Sequence, residues 1–370
     1  MKTLVHVKKI KLMPHNQILV NKKDILSTQT REFESPSLAP GQARLKLLKY
    51  ALTSNNITYA VTGYRIGYWK FFPVDEEWGI VPVWGFAEVV ESGHEGLEVG
   101  EKVYGYFPMA EELTVTIGKL NDYGFVDAAD HRQELPPIYN YYNRIKSDPT
   151  YIEAVEDYLP IIRPLFATSF LNYQFLKEES FFGVNQIIIT SASSKTALGL
   201  AHLLHEHQGE HGKQIIGLTS SRNVDFVKGT GFYDTVIEYG QVGAELTEED
   251  SLIVDMAGNG KLLQGIDEQL GEKLKFISMI GLTDWQTGVA NLGLKQAKFF
   301  FAPTYAQKLF KEWGQLKANT AIAQNMGKFI AQAKNWIKIQ YIEDYGELEK
   351  LYVDMAKGKV DPSIGYIVKS

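Results

Sequence analysis

The stretch QIIITSASSKTALGLA, residues 186–201, decides the fold. Its opening, QIIIT, is short, apolar and β-branched, the composition of a strand buried on both faces. Small and hydroxyl residues follow at once from Ser191 to Thr196. Leu198, Ala201, Leu203 and Leu204 then recur at helical spacing. Outward from this unit the alternation repeats. KQIIGLT (213–219), DTVIEY (234–239), SLIVDMAG (251–258) and LKFISMIGLT (274–283) read as strands. RNVDFVKGTG (222–231) and KLLQGIDEQL (261–270) read as the helices between them. Strands and helices alternating at these lengths predict an α/β unit, a parallel sheet with helices on both faces. Amphipathic helices are expected beyond it at 303–316, 320–336 and 346–358.

Residues 41–117 differ. RLKLLKYAL, GFAEVVES and EKVYGYFP are β-prone runs bounded by Gly, Pro and acidic residues, with two turn-rich segments, 53–69 and 71–85, between them. No strong helix is expected here. Residues 118–163, rich in Tyr, Pro and charge, have no sustained period and read as a lid or a solvated excursion with one short helix near 152–158.

A buried strand running into small residues and a helix is the architecture of a phosphate cradle, because the helix start offers free N–H donors to an anion. The usual G-x-G-x-x-G positions are here Ala192, Ser194 and Ala197, small but not glycine. The hydroxyls of Ser193, Ser194 and Thr196 are candidate phosphate ligands, and Lys195 stands beside them. The plainer alternative is a serine N-cap. The second strand ends at Ser220, Ser221, Arg222 and Asn223, with no carboxylate where an NAD site places one. An arginine fork suits a 2′-phosphate, which favours NADP(H); the alternative is an ordinary solvated arginine.

The net charge of −6 argues against nucleic acid as a partner. With no cysteine, disulfides, thiolate metal sites and a cysteine nucleophile are excluded. The start, MKTLVHVKKIKLMPH, lacks the apolar stretch of a signal peptide, and no apolar run approaches the roughly 20 residues of a membrane span. A cytoplasmic protein without a membrane partner is expected.

The whole order, β-rich half, βαβ half and returning tail, resembles the medium-chain dehydrogenase/reductase superfamily on its zinc-free quinone-reductase side. APGQARLKLLKYALTSNNITYAVTG (39–63), VPVWGFAEVVESGHEGLEVGEKVYGYFP (81–108) and IIITSASSKTALGLA (187–201) carry the resemblance. It implies a GroES-like β-barrel domain over 1–163, with an insertion at about 118–160 and completed by 326–370. A Rossmann doubly wound parallel-sheet domain would occupy 164–325. The zinc enzymes' Gly-His-Glu position reads Gly85-Phe86-Ala87, and cysteine ligands are lacking, so zinc chemistry is not expected.

The resemblance implies that Tyr59 and an Asn, here Ser54 with Asn55 and Asn56 adjacent, face the nicotinamide and the substrate carbonyl. It places Tyr239 near the adenosine phosphate and Gly281, Leu282 and Thr283 near the nicotinamide. It also implies a homodimer paired through the region of FFFAP (299–303), which otherwise reads as a core strand. The expected chemistry is hydride transfer from NADPH to a small-molecule carbonyl, quinone or activated alkene without metal. The rival is a nucleotide-binding sensor or scaffold of the same fold that lacks turnover. The histidines of AHLLHEHQGEH (201–211) read as a solvated helix end rather than a metal site. Ser194-Lys195-Thr196 lacks the glycines of a triphosphate loop, and no G-x-S-x-G elbow occurs.

Overall fold

The strands around Gln186 pair into one six-stranded parallel sheet in the computed structural model, which describes residues 14–148, 150–281, 294 and 296–370. Across the sheet the strands run Thr235–Glu238, Gln214–Thr219, Gln186–Ile189, Ser251–Asp255, Leu274–Met279 and Ala297–Phe299. Numbered along the chain this is 3-2-1-4-5-6, the doubly wound order, with its switch point between Gln186–Ile189 and Ser251–Asp255. Side chains alternate across the pleat. Ile187 and Ile189 enter one apolar core while Ile188 enters the other, and none of the three is accessible to water. Helices must therefore cover both faces, and the helix Lys195–Glu206 covers one with Leu198, Leu200, Leu203 and Leu204. Each such leucine contributes about 1.5–3 kcal/mol by burial.

The first half closes into a six-stranded barrel. Gln42–Leu52 pairs with Pro82–Ser92, followed by Lys102–Pro108, Tyr141–Arg144, Gly124–Asp127 and Glu112–Asn121, which returns to Gln42–Leu52. The tail rejoins this sheet, with Ile364–Lys369 antiparallel to Gln42–Leu52 and Lys338–Ile342 parallel on its outer side. The architecture is thus α/β, a GroES-like barrel joined to a Rossmann sheet.

Two expectations are corrected. Residues 118–148 are not a solvated excursion, because they supply two barrel strands and the end of a third. Arg144 fastens them, donating to both carboxylate oxygens of Glu101 at 2.7 and 2.5 Å and to the carbonyls of Asn121 and Gly96. Secondly, Ser54–Val61 is a helix, opened by a capping box in which Thr53 and Asn56 satisfy each other's backbone ends. One element without a sequence expectation is the helix Leu159–Glu178, which Pro160 and Pro164 obscure; Pro160 sits in the first turn, where its missing N–H costs nothing. This helix runs through the expected boundary at 163/164, and Gln315–Ala333 runs through the one at 325/326.

Candidate functional site

A cleft of about 460 Å³ lies at the switch point, between the carboxyl ends of the parallel strands and the barrel. One wall carries Ser191, Ser193–Thr196, Ser220, Arg222, Asn223, Tyr239 and Gly281; the other carries Leu52–Asn55 and the tail segment Met355–Pro362.

The turn after the first strand, the candidate phosphate cradle, is built without glycine. Ser191 takes a positive φ of 48°, a conformation that glycine adopts without a Cβ penalty. Its backbone N–H donates to the Tyr239 hydroxyl at 2.9 Å, which pins the turn to the end of the third strand. Ser194 caps the helix, its hydroxyl accepting the Ala197 N–H at 3.2 Å. The N-cap alternative is thus what Ser194 does within the helix, and the same residue lines the cleft. N–H groups of the first turn, on Lys195 and Thr196, have no partner within the helix and are placed for an anion. Ala192 and Ala197 are buried behind the turn and supply close packing rather than cleft surface.

Asn223 joins the second strand's tip to this turn, donating from Nδ2 to Ser193 Oγ at 3.0 Å. Arg222 reaches across the mouth and donates to the Gly358 carbonyl. Ser221 is exposed and does not line the cleft. Lys195 Nζ donates to the carbonyls of Pro362 and Ile364 at 3.1 and 3.0 Å. Burial draws this ammonium down to about 8, against the pull of Asp361.

On the barrel side the three candidates separate. Asn55 lines the cleft. Asn56 does not: it is 2% exposed, its Oδ1 accepts the Thr53 N–H at 2.7 Å and its Nδ2 donates to the Pro82 carbonyl at 2.7 Å. That side chain is committed to capping. Tyr59 is buried just behind Asn55, its ring tilted at 43° against that of Tyr68 with centroids 4.5 Å apart. Trp84 Nε1 donates to its hydroxyl at 3.3 Å. Burial pushes the phenol up to about 12, partly opposed by hydrogen bonding with Trp84, Asn55 and Tyr106.

Gly281, two residues beyond the fifth strand, lies against Met256, whose carbonyl oxygen a Cβ would approach to 2.0 Å. Leu282 and Thr283 lie outside the described residues. The sequence reading missed the tail's contribution, Lys357, Asp361 and Pro362, and also Asn259, which caps the helix Gly260–Leu270. The polar, glycine-bearing stretch after the last amphipathic helix was the available signal. Another cavity, of about 640 Å³, opens between Arg65, Lys70, Asp130–Pro136, Phe299 and Phe301 and contains none of the candidates.

His202 is corrected as well. It is 1% exposed, packed against Phe232 and Phe329, and burial draws its imidazole down to about 4. It is a neutral core residue, not part of a solvated end. Among the described residues no group of three or more His, Asp or Glu is placed to hold a metal ion, and no helix is long and apolar enough to cross a membrane.

The profile of a family described as "Protein of unknown function (DUF2855)" matches residues 50–361. The chain belongs to this family. No curated protein matches the DUF2855 chain. Solved structures do. CurA from Vibrio vulnificus in complex with NADPH is similar over 96% of this chain and 99% of its own, at 13% identity and a TM-score of 0.62. A mutant enoyl thioester reductase from Candida tropicalis is similar over 97% and 100%, at 16% identity and a TM-score of 0.56. The YhdH oxidoreductase from Salmonella enterica, in complex with NADP, is similar over 96% and 99%, at 14% identity and a TM-score of 0.55. At these identities the likeness is one of fold. The DUF2855 chain has the medium-chain dehydrogenase/reductase fold, as the sequence resemblance implied.

Proposed function

We propose that the protein is an NADPH-dependent, metal-free reductase acting on a carbonyl, quinone or activated alkene. One observation carries the cofactor preference: Asn223 bonds Ser193, so the tip Ser220–Asn223, which bears Arg222 and no carboxylate, stands directly beside the phosphate turn. An adenosine running from that turn past the tip would bring its 2′-phosphate to Arg222, Ser220 and Asn223. Ser193, Ser194 and Thr196, with the N–H groups of the first helical turn, would hold the pyrophosphate. Support comes also from the fold, since similar structures hold NADPH or NADP in their own sites.

Bound NADPH supplies a hydride at its nicotinamide. Asn55, on the cleft wall, is placed to donate a hydrogen bond to the substrate oxygen as it gains charge. Tyr59 stands next to it, protonated through the physiological range, as the proton reserve. Turnover is tested by following NADPH oxidation with a panel of quinones, enones and aldehydes. Oxidation that requires the acceptor supports the reductase; binding without oxidation across the panel refutes it.

A second reading, a nucleotide-binding sensor without turnover, is favoured by one feature. The Tyr59 hydroxyl is covered by Trp84 and does not itself line the cleft. The same panel separates the two.

A further inference from the structure

We propose that Lys195 is a domain latch: one ammonium that joins the phosphate turn to the returning tail of the barrel and, with its remaining N–H, binds the pyrophosphate of the dinucleotide. The latch rests on the NADPH reading above and adds how binding is coupled to the placement of the two domains.

An ammonium has three donors and no acceptor. Two are spent on the carbonyls of Pro362 and Ile364. Those carbonyls lead into the strand Ile364–Lys369, which pairs with Gln42–Leu52 of the barrel. The backbone of Lys195 opens the helix Lys195–Glu206 of the other domain. Its side chain therefore bridges the cleft that it also lines. The third remains for a ligand in the cleft, which Lys195 lines together with Ser193, Ser194 and Thr196.

The first helical position is a poor place for a cation, because the helix dipole there is positive. Asp361 supplies the nearby negative charge without closing to an ion pair with the ammonium; its carboxylate accepts the backbone N–H and the hydroxyl of Ser363. An anion in the cleft would complete the compensation. Arg222 makes a parallel link to the same tail through the Gly358 carbonyl. Both phosphate-side cations thus grip one segment of the opposite domain. A ligand that binds Lys195 fixes the turn and the tail together.

The absence of cysteine makes the test clean. Spin labels on cysteines introduced at the exposed positions Glu95 and Ala244, one in each domain, report the interdomain distance. Affinities are measured for NADPH and for adenosine 2′-monophosphate, which has no pyrophosphate. Lys195→Met should raise the Kd for NADPH about 10- to 100-fold, the worth of one charge-assisted hydrogen bond. It should leave adenosine 2′-monophosphate within about twofold and broaden the label distances. Lys195→Arg should recover most of the NADPH affinity.

Equal loss of both ligands would mean a general structural defect and overturn the latch. So would unchanged NADPH affinity, or unchanged distances, in Lys195→Met while the wild type binds NADPH. Failure of the wild type to bind any dinucleotide would instead sink the NADPH reading and the latch with it.

Discussion

The Ser191 N–H and the Tyr239 hydroxyl meet at 2.9 Å, so a residue at the end of the third strand holds the backbone of the turn after the first, the proposed phosphate cradle. The bond compensates a turn that has lost its glycines. Ser191 keeps a positive φ without the freedom of glycine, and Tyr239 supplies the acceptor that fixes its N–H. Tyr239→Phe should therefore cost about 1 kcal/mol in denaturant unfolding and weaken dinucleotide binding as the turn loosens. Unchanged stability together with unchanged affinity would show that the turn does not depend on this bond.

The adjacent asparagines give opposite expectations. Asn56→Ala removes a cap and strands the Pro82 carbonyl, and should lower stability by roughly 1–3 kcal/mol. Asn55→Ala, on the cleft wall, should leave the melting temperature alone and slow turnover. Paired melting and rate measurements check both.

Tyr59→Phe should slow NADPH oxidation about 100-fold or more while the Kd for NADPH stays within about twofold. With the phenol pushed up to about 12, Tyr59 is protonated at every pH below about 11. A rate profile measured from pH 6 to 10 should therefore show no loss of activity from Tyr59 ionisation. A falling limb near pH 9 that vanishes in Tyr59→Phe would contradict this placement.

Much of the parallel-sheet domain was legible because each of its elements has one clear period, from Gln186–Ile189 to Gly260–Leu270. The hidden elements had mixed signals. Pro160 and Pro164 masked the helix Leu159–Glu178, although Ile161, Ile162, Leu165, Phe166, Ser169 and Phe170 follow its spacing. The barrel strands Gly124–Asp127 and Tyr141–Arg144 are too short for alternation to show, and a buried ion pair far apart in sequence holds them. In the cleft, the turn and strand tip were readable from Ser193–Thr196 and Ser220–Asn223. The tail's carbonyls were not, since backbone acceptors leave no mark in a sequence. Nor could spacing separate Asn55 from Asn56, because their roles differ only in which way a helix start points them.

The Arg144–Glu101 pair gives an acid-stability signature. Burial alone would raise the Glu101 carboxyl, but the hydrogen bonds from Arg144, the Glu98 N–H and Lys146 reverse that and hold it at about 2. Its contribution is present above the ordinary value of 4.5 and is lost as pH falls from there toward 2. Arg144→Met should cost roughly 3 kcal/mol at pH 7 by leaving Glu101 underpaired. The deficit should shrink when unfolding is followed at pH 3. A deficit that persists undiminished in acid would contradict the assignment.

The central claim is a dinucleotide site that prefers a 2′-phosphate, and calorimetric titration with NADPH and NADH, on the wild type and on Arg222→Ala, tests it most directly. NADPH should bind more tightly than NADH, by about tenfold or more for a charge-assisted phosphate contact, and Arg222→Ala should erase most of that preference without abolishing NADH binding. Equal affinities for the two dinucleotides, or no heat of binding with either at millimolar concentration, would contradict it.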